Sequence, residues 1–190
     1  IKISGKPSPV VRRFDAGIVY NAVPARAEAE LCCSKDAFEK LQEAAKTEEG
    51  KFGFTATSEG GKVVSLGVAS HAMQPQEGVN AASRLMKLLA CVFSEEQLGS
   101  LIAFANRAIG LEYDGASLGV KMEDGESGPL TLNLGLVSLG AGEASLSLDI
   151  RYPVTKDGEQ ILAQIKGEAE KAGLALAASH DTKPLYLPAE

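Results

Sequence analysis

The sequence predicts an α+β fold made of two related halves, each an antiparallel sheet packed on helices. Three observations predict it. Runs with strand-like composition alternate with stretches whose apolar residues recur every three to four positions, such as Ala82, Leu85, Met86, Leu89 and Phe93. The tetrad Ser58-Glu59-Gly60-Gly61 between two apolar runs is a hairpin signal, because Gly-Gly supplies the positive φ angles of a tight turn. The two halves also follow one plan. A strand ends at His71, then come Pro75 and a helix from about Gly78; later a strand ends at Arg151, then come Pro153 and a helix from about Gly158. A duplicated strand-strand-helix-strand unit is inferred, with halves at about 14–93 and 112–187 and a joining helix over about 94–109.

Taken in order, residues 1–14 read as an extended leading segment. Ile18-Val19-Tyr20 is a short apolar run that ends at Asn21, and Asn21-Ala22-Val23-Pro24 forms a turn. Ala27 to Cys33 alternates as a strand. Ser34 caps a helix bearing Phe38, Leu41 and Ala45, with Gly50 beyond its end. Strands follow at Phe52–Thr57 and Lys62–Ser70, and then the helix of Leu85 and Leu89. Ser94 with Gln97 forms a capping box opening a helix with Leu98, Leu101, Ile102 and Ala105, which Gly110 closes. Ser117–Met122, Leu130–Val137 and Ala144–Arg151 read as strands, with turns at Gly125, Gly128, Gly140 and Gly142. A helix over about 157–171 turns Ile161, Leu162, Ile165 and Ala169 inward. The run Leu174–Ala177 is a last strand before a polar loop at His180, and Pro184-Leu185-Tyr186-Leu187-Pro188 reads as a connector leaving the domain.

Composition narrows the function classes. The chain has 190 residues, enough for one large domain or two small ones with a real core. The net charge of -6 and the scattered Lys and Arg argue against nucleic acid as a partner. No apolar run is long enough to cross a membrane. The start Ile1-Lys2-Ile3-Ser4-Gly5 lacks both the apolar core of a signal peptide and an initiator Met, so the chain reads as a piece of a longer protein. Cys32, Cys33 and Cys91 make a poor disulfide framework; a reducing cytoplasm is the simpler expectation.

Three residues stand out as candidates for chemistry. His71 ends a strand-like run and opens a turn, and a neutral imidazole there can donate a hydrogen bond to a developing oxyanion; a surface or capping histidine is the alternative. Arg151, at the end of Leu148-Asp149-Ile150-Arg151, can grip a carboxylate with two parallel hydrogen bonds, or pair within the chain with Asp149 or a glutamate. Asn21 can hold a substrate carbonyl or only build its turn. Zinc and calcium spacings and phosphate-binding glycine loops do not occur, and no metal is expected on this chain. Gly115-Ala116-Ser117-Leu118-Gly119 is not read as a nucleophile elbow. On its own residues the chain lacks a complete catalytic apparatus.

Five motifs in one order resemble the lid domain of PepV-type, Xaa-His dipeptidases, within the zinc metallopeptidase superfamily of aminoacylases and carnosinases. They are Asn21-Ala22-Val23-Pro24; Ser70-His71-Ala72 with Pro75, Gly78 and Asn80-Ala81; Gly115-Ala116-Ser117-Leu118-Gly119; Gly128-Pro129-Leu130-Thr131-Leu132-Asn133; and Asp149-Ile150-Arg151-Tyr152-Pro153. The resemblance covers about residues 13–187. It implies a lid inserted between two halves of a catalytic domain, with two ferredoxin-like α/β sandwich units resembling two copies of the relatives' small dimerisation domain. Zinc and the general-base glutamate would come from that catalytic domain of the same parent chain, leaving the isolated piece inactive. The substrate implied is a dipeptide. The resemblance assigns oxyanion stabilisation to His71, the substrate's C-terminal carboxylate to Arg151, and a further substrate contact to Asn21. The lid of a related deacylase or aminopeptidase, or a free-standing ligand-binding regulatory module, are the other readings.

Overall fold

The computed structural model describes residues 1–48 and 50–184. The connector expected around residues 184–188 lies, from Leu185 on, outside the described residues. The fold is α+β: among the described residues, helices pack on one face of an antiparallel eight-stranded sheet.

The strands are β1 (Lys2–Ser4), β2 (Val11–Ala16), β3 (Arg26–Cys32), β4 (Phe52–Thr57), β5 (Gly60–Leu66), β8 (Thr131–Gly140), β9 (Glu143–Arg151) and β10 (Ala175–Ala178). A separate small hairpin pairs β6 (Glu123–Asp124) with β7 (Gly128–Pro129). The sheet order β10-β1-β9-β8-β2-β3-β5-β4 has one plan on each side of the central β8–β2 pair. On each side a hairpin (β2–β3 or β8–β9) leads into a helix and then an edge strand (β4 or β10). The position inside that edge is filled by β5 on one side and by β1, from the start of the chain, on the other.

Alternation decides which face is buried. In β3, Ala27, Ala29 and Leu31 are buried while Arg26, Glu30 and Cys32 are exposed. Two β-bulges keep this pattern in phase along the central strands. Between Leu134 and Leu136 the pairing with β9 slips, so Leu132 and Leu134 before the bulge and Val137 and Leu139 after it all face the core. In β2 a slip between Val11 and Arg13 does the same for Val11, Phe14 and Ala16. Gly135 is required at the β8 bulge, because a Cβ there would lie 2.0 Å from the Tyr20 carbonyl oxygen.

The helices are α1 (Lys35–Ala44), α2 (Ala81–Ala90), α3 (Glu95–Leu98), α4 (Ser100–Phe104) and α5 (Gly158–Lys171). α2 is the central one. It lies on β3, β5 and β8 and buries Leu85, Met86 and Leu89 almost completely. Asn80 starts it: its Oδ1 accepts from the Ala82 and Ser83 N–H groups at 3.0 and 3.2 Å, while its Nδ2 donates to the Leu134 carbonyl at 2.8 Å. One buried side chain thus caps the helix and ties it to the sheet. Ser94 and Gln97 form the expected capping box.

Three expected elements differ. The single helix over about 94–109 is broken at Gly99, whose φ of 84° an L side chain rarely adopts, and it ends in a π-turn over Ala105–Ile109. The expected strand Ser117–Met122 is a turn: Gly119 and Val120 donate back to Ala116 and Gly115, which leaves no extended ladder. The strand expected to run to Ser70 stops at Leu66, where β3, its partner, begins at Arg26.

Asn80→Ala removes both the cap and the strut to Leu134. The variant is expected to lose about 1–3 kcal/mol of stability, read as a lower urea midpoint at unchanged slope.

Candidate functional site

His71, Asn21 and Arg151 are joined through one strand, β8. Past Leu66 the chain makes no regular strand, but Ser70–Ala72 pairs with Asn21–Val23. The Val23 N–H donates to the Ser70 carbonyl at 2.9 Å and the Ala72 N–H to the Asn21 carbonyl at 3.0 Å. His71 and Asn21 are therefore carried on two loops that brace each other.

β8 anchors both loops from beneath. Asn133, buried, donates from Nδ2 to the carbonyls on either side of Asn21, at 3.2 Å to Tyr20 and 2.9 Å to Ala22. Its Oδ1 is buried with no partner among the described residues. Two residues earlier, the Thr131 hydroxyl donates to the Ala72 carbonyl at 3.2 Å. In the ladder Thr131 stands directly opposite Arg151, and Asn133 directly opposite Asp149. Directly opposed residues share a face, so the loop anchors and the arginine occupy the same side of the sheet.

The ring of His71 is fixed by its own turn. The Met73 N–H donates to Nδ1 at 3.1 Å. With Nδ1 accepting, the neutral imidazole carries its proton on Nε2, and Nε2–H becomes its one donor. His71 is exposed. The neighbouring loops are unusually apolar on their outer side: Ile18 is 97% and Met73 61% exposed, and Val19, Tyr20 and Val68 are also open to solvent.

Arg151 does pair within the chain. Its Nε donates to Asp149 Oδ1 at 2.7 Å and its Nη2 to Oδ2 at 3.2 Å. The Arg151 side chain stays 47% exposed while that of Asp149 is 6% exposed. Arg151 forms part of the wall of an open cleft of about 620 Å³ with Tyr20, Asp149, Tyr152, His180 and Asp181; His71 and Asn21 stand outside it. The Tyr152 hydroxyl donates to Asp181 at 2.8 Å, and burial together with that carboxylate pushes its pKa up to about 12. Asp124 accepts from Ser127 and Thr155, which clasps the β6–β7 hairpin to the turn after β9. These hydrogen bonds, those of Ser127 foremost, hold its carboxyl well below the usual range.

Among the described residues, no three His, Cys, Asp or Glu side chains converge as a metal-binding set. Gly115-Ala116-Ser117-Leu118-Gly119 carries the letters of G-x-S-x-G, so context and not spelling decides its role. The segment lies in a turn rather than between a strand and a helix, and the Ser117 hydroxyl donates to Glu112 at 2.5 Å.

Thr131 and Asn133 stood in the motif Gly128–Asn133, but the sequence assigned neither a role. Their signal was present: in Leu130-Thr131-Leu132-Asn133-Leu134 polar residues alternate with leucines, so two hydrogen-bonding side chains share one face of a central strand.

With this geometry in hand, comparison with known proteins identifies the class. The family model of the peptidase dimerisation domain matches residues 56–176, and the chain belongs to that family. A Staphylococcus saprophyticus protein named "Putative dipeptidase SSP1012" is 26% identical over 186 residues, covering 96% of this chain and 40% of that protein. A protein of the same description in Staphylococcus aureus strain USA300 is 27% identical over 178 residues, covering 92% of this chain and 38% of its own length. The chain thus spans about 40% of the length of the curated relatives it matches.

The hydrogen bond to Nδ1 has a spectroscopic consequence. In the neutral ring, ¹⁵N shifts of His71 are expected to report a protonated Nε2 and an accepting Nδ1. Equal averaging of the two nitrogens would contradict the assigned tautomer.

Proposed function

We propose that this domain is the lid of a zinc-dependent dipeptidase, closing over a dipeptide held by a catalytic domain of the same parent chain. The observation that carries the reading is the shared anchoring. One strand, through Thr131 and Asn133, fixes the loops of His71 and Asn21 on the face where Arg151 presents its guanidinium. Membership of the peptidase dimerisation domain family and the dipeptidase descriptions of the relatives support it.

Zinc and the general base belong to the catalytic domain in this proposal. As water adds to the peptide carbonyl, negative charge grows on its oxygen. The fixed Nε2–H of His71 donates to that oxygen, an interaction stronger in the transition state than in the ground state. Arg151 receives the free C-terminal carboxylate and thereby measures peptide length. Asn21, held from both sides by Asn133, contacts the substrate between them. The exposed apolar rim around His71 excludes water on closure. The isolated lid has no activity, and a cytoplasmic setting fits the free cysteines Cys32, Cys33 and Cys91.

The test is steady-state kinetics on the full-length protein. His71→Ala is expected to lower kcat by about 10²–10³, the loss typical of an oxyanion donor. Arg151→Ala is expected to raise KM by about 10–100-fold for dipeptides with a free C-terminus, the worth of a charge-assisted hydrogen bond. Near-normal turnover of His71→Ala would overturn the assignment.

A further inference from the structure

We propose that Asp149 is the positioning residue that aims Arg151, so that one particular edge of the guanidinium is offered to a carboxylate. The inference rests on the reading of Arg151 as the carboxylate-binding residue.

A guanidinium has two edges suited to a carboxylate. One is formed by Nε and one Nη, the other by the two terminal Nη groups. Asp149 takes the first edge with both oxygens, at 2.7 Å to Nε and 3.2 Å to Nη2. Two of the five N–H donors of Arg151 are thereby used, and the Nη1–Nη2 edge is left as a free two-pronged fork. The asymmetry of burial gives this fork a direction. The Asp149 side chain is 6% exposed and cannot swing away, whereas that of Arg151 is 47% exposed. Both residues point to the same face, two positions apart on β9, and both border the open cleft. Asp149 is itself set opposite Asn133, so the arginine's support and the anchor of the Asn21 loop are cross-strand neighbours. An arginine free of Asp149 would sample its many rotamers, and its ordering would then weaken binding.

A positioning role differs from a merely structural one in what it moves. In the full-length protein, Asp149→Asn is expected to raise KM for free dipeptides about 10-fold while kcat changes less than about threefold. The same variant leaves KM for the corresponding dipeptide amides unchanged. In an Arg151→Ala background, Asp149→Asn adds no further loss, because the two act as one unit. Asp149→Glu, which keeps the charge, recovers part of the KM and serves as the second variant if Asp149→Asn folds poorly by thermal melting. A direct readout comes from ¹⁵N-arginine labelling: the Nε–H signal of Arg151 is expected to exchange slowly in the wild type and rapidly in Asp149→Asn. An unchanged Nε–H signal, or a kcat loss equal for acids and amides, overturns the proposal. If Arg151→Ala treats acids and amides alike, the reading of Arg151 fails, while the Nε–H exchange still decides whether Asp149 holds the side chain.

Discussion

The two amide protons of Asn133 are the point on which the site depends. They reach the carbonyls of Tyr20 and Ala22 from a buried position in a central strand, and so fix the backbone on both sides of Asn21. That loop then pairs with Ser70–Ala72, which carries His71. A buried amide of this kind has little freedom. Turned over, its oxygen would face two carbonyl oxygens, so the orientation is set by electrostatics rather than by packing. The cost is the Oδ1 left without a partner among the described residues. In a protein interior an unmatched acceptor of this kind is tolerated where it secures something else.

The sheet divides labour between its faces. Leucines of β8 and β9, with α2 and α4 over them, supply the hydrophobic stabilisation. The opposite face carries Thr131, Asn133, Asp149 and Arg151 as two cross-strand pairs. The polar side chains are thus held at the pitch of a ladder, about 5 Å apart, by the same backbone bonds that stabilise the fold. Precision at the site comes from the core on the other side of the strand.

Much of this was legible in the chain. The hairpin expected at Ser58–Gly61 is present, although Ser58 and Glu59 make its turn and Gly60 and Gly61 already belong to β5, Gly61 without a positive φ, and the Ser94–Gln97 box caps a helix. The sequence also offered Asp149 as a partner for Arg151, and the two do pair. What escaped has physical causes. Gly99 looks like any glycine within a helical pattern, and only its positive φ shows that the helix stops there. Ser117–Met122 has strand composition, but Gly115 and Gly119 both take positive φ and close it into a turn. The anchoring by Thr131 and Asn133 joins residues 59 to 113 positions apart, a relation that no local pattern encodes.

The placement of β1 makes the two sides of the sheet unequal in time. One side, β2 through β5, closes with contacts that all fall within residues 11–66. The other needs Lys2–Ser4 to reach Ser145–Ser147 and Ala175–Ala178 before its edge strand has anything to pair with. Loop-closure entropy delays such contacts relative to local ones. By that argument the β2–β5 side is favoured to form first, and β9, the strand bearing Arg151, to gain its second neighbour, β1, later.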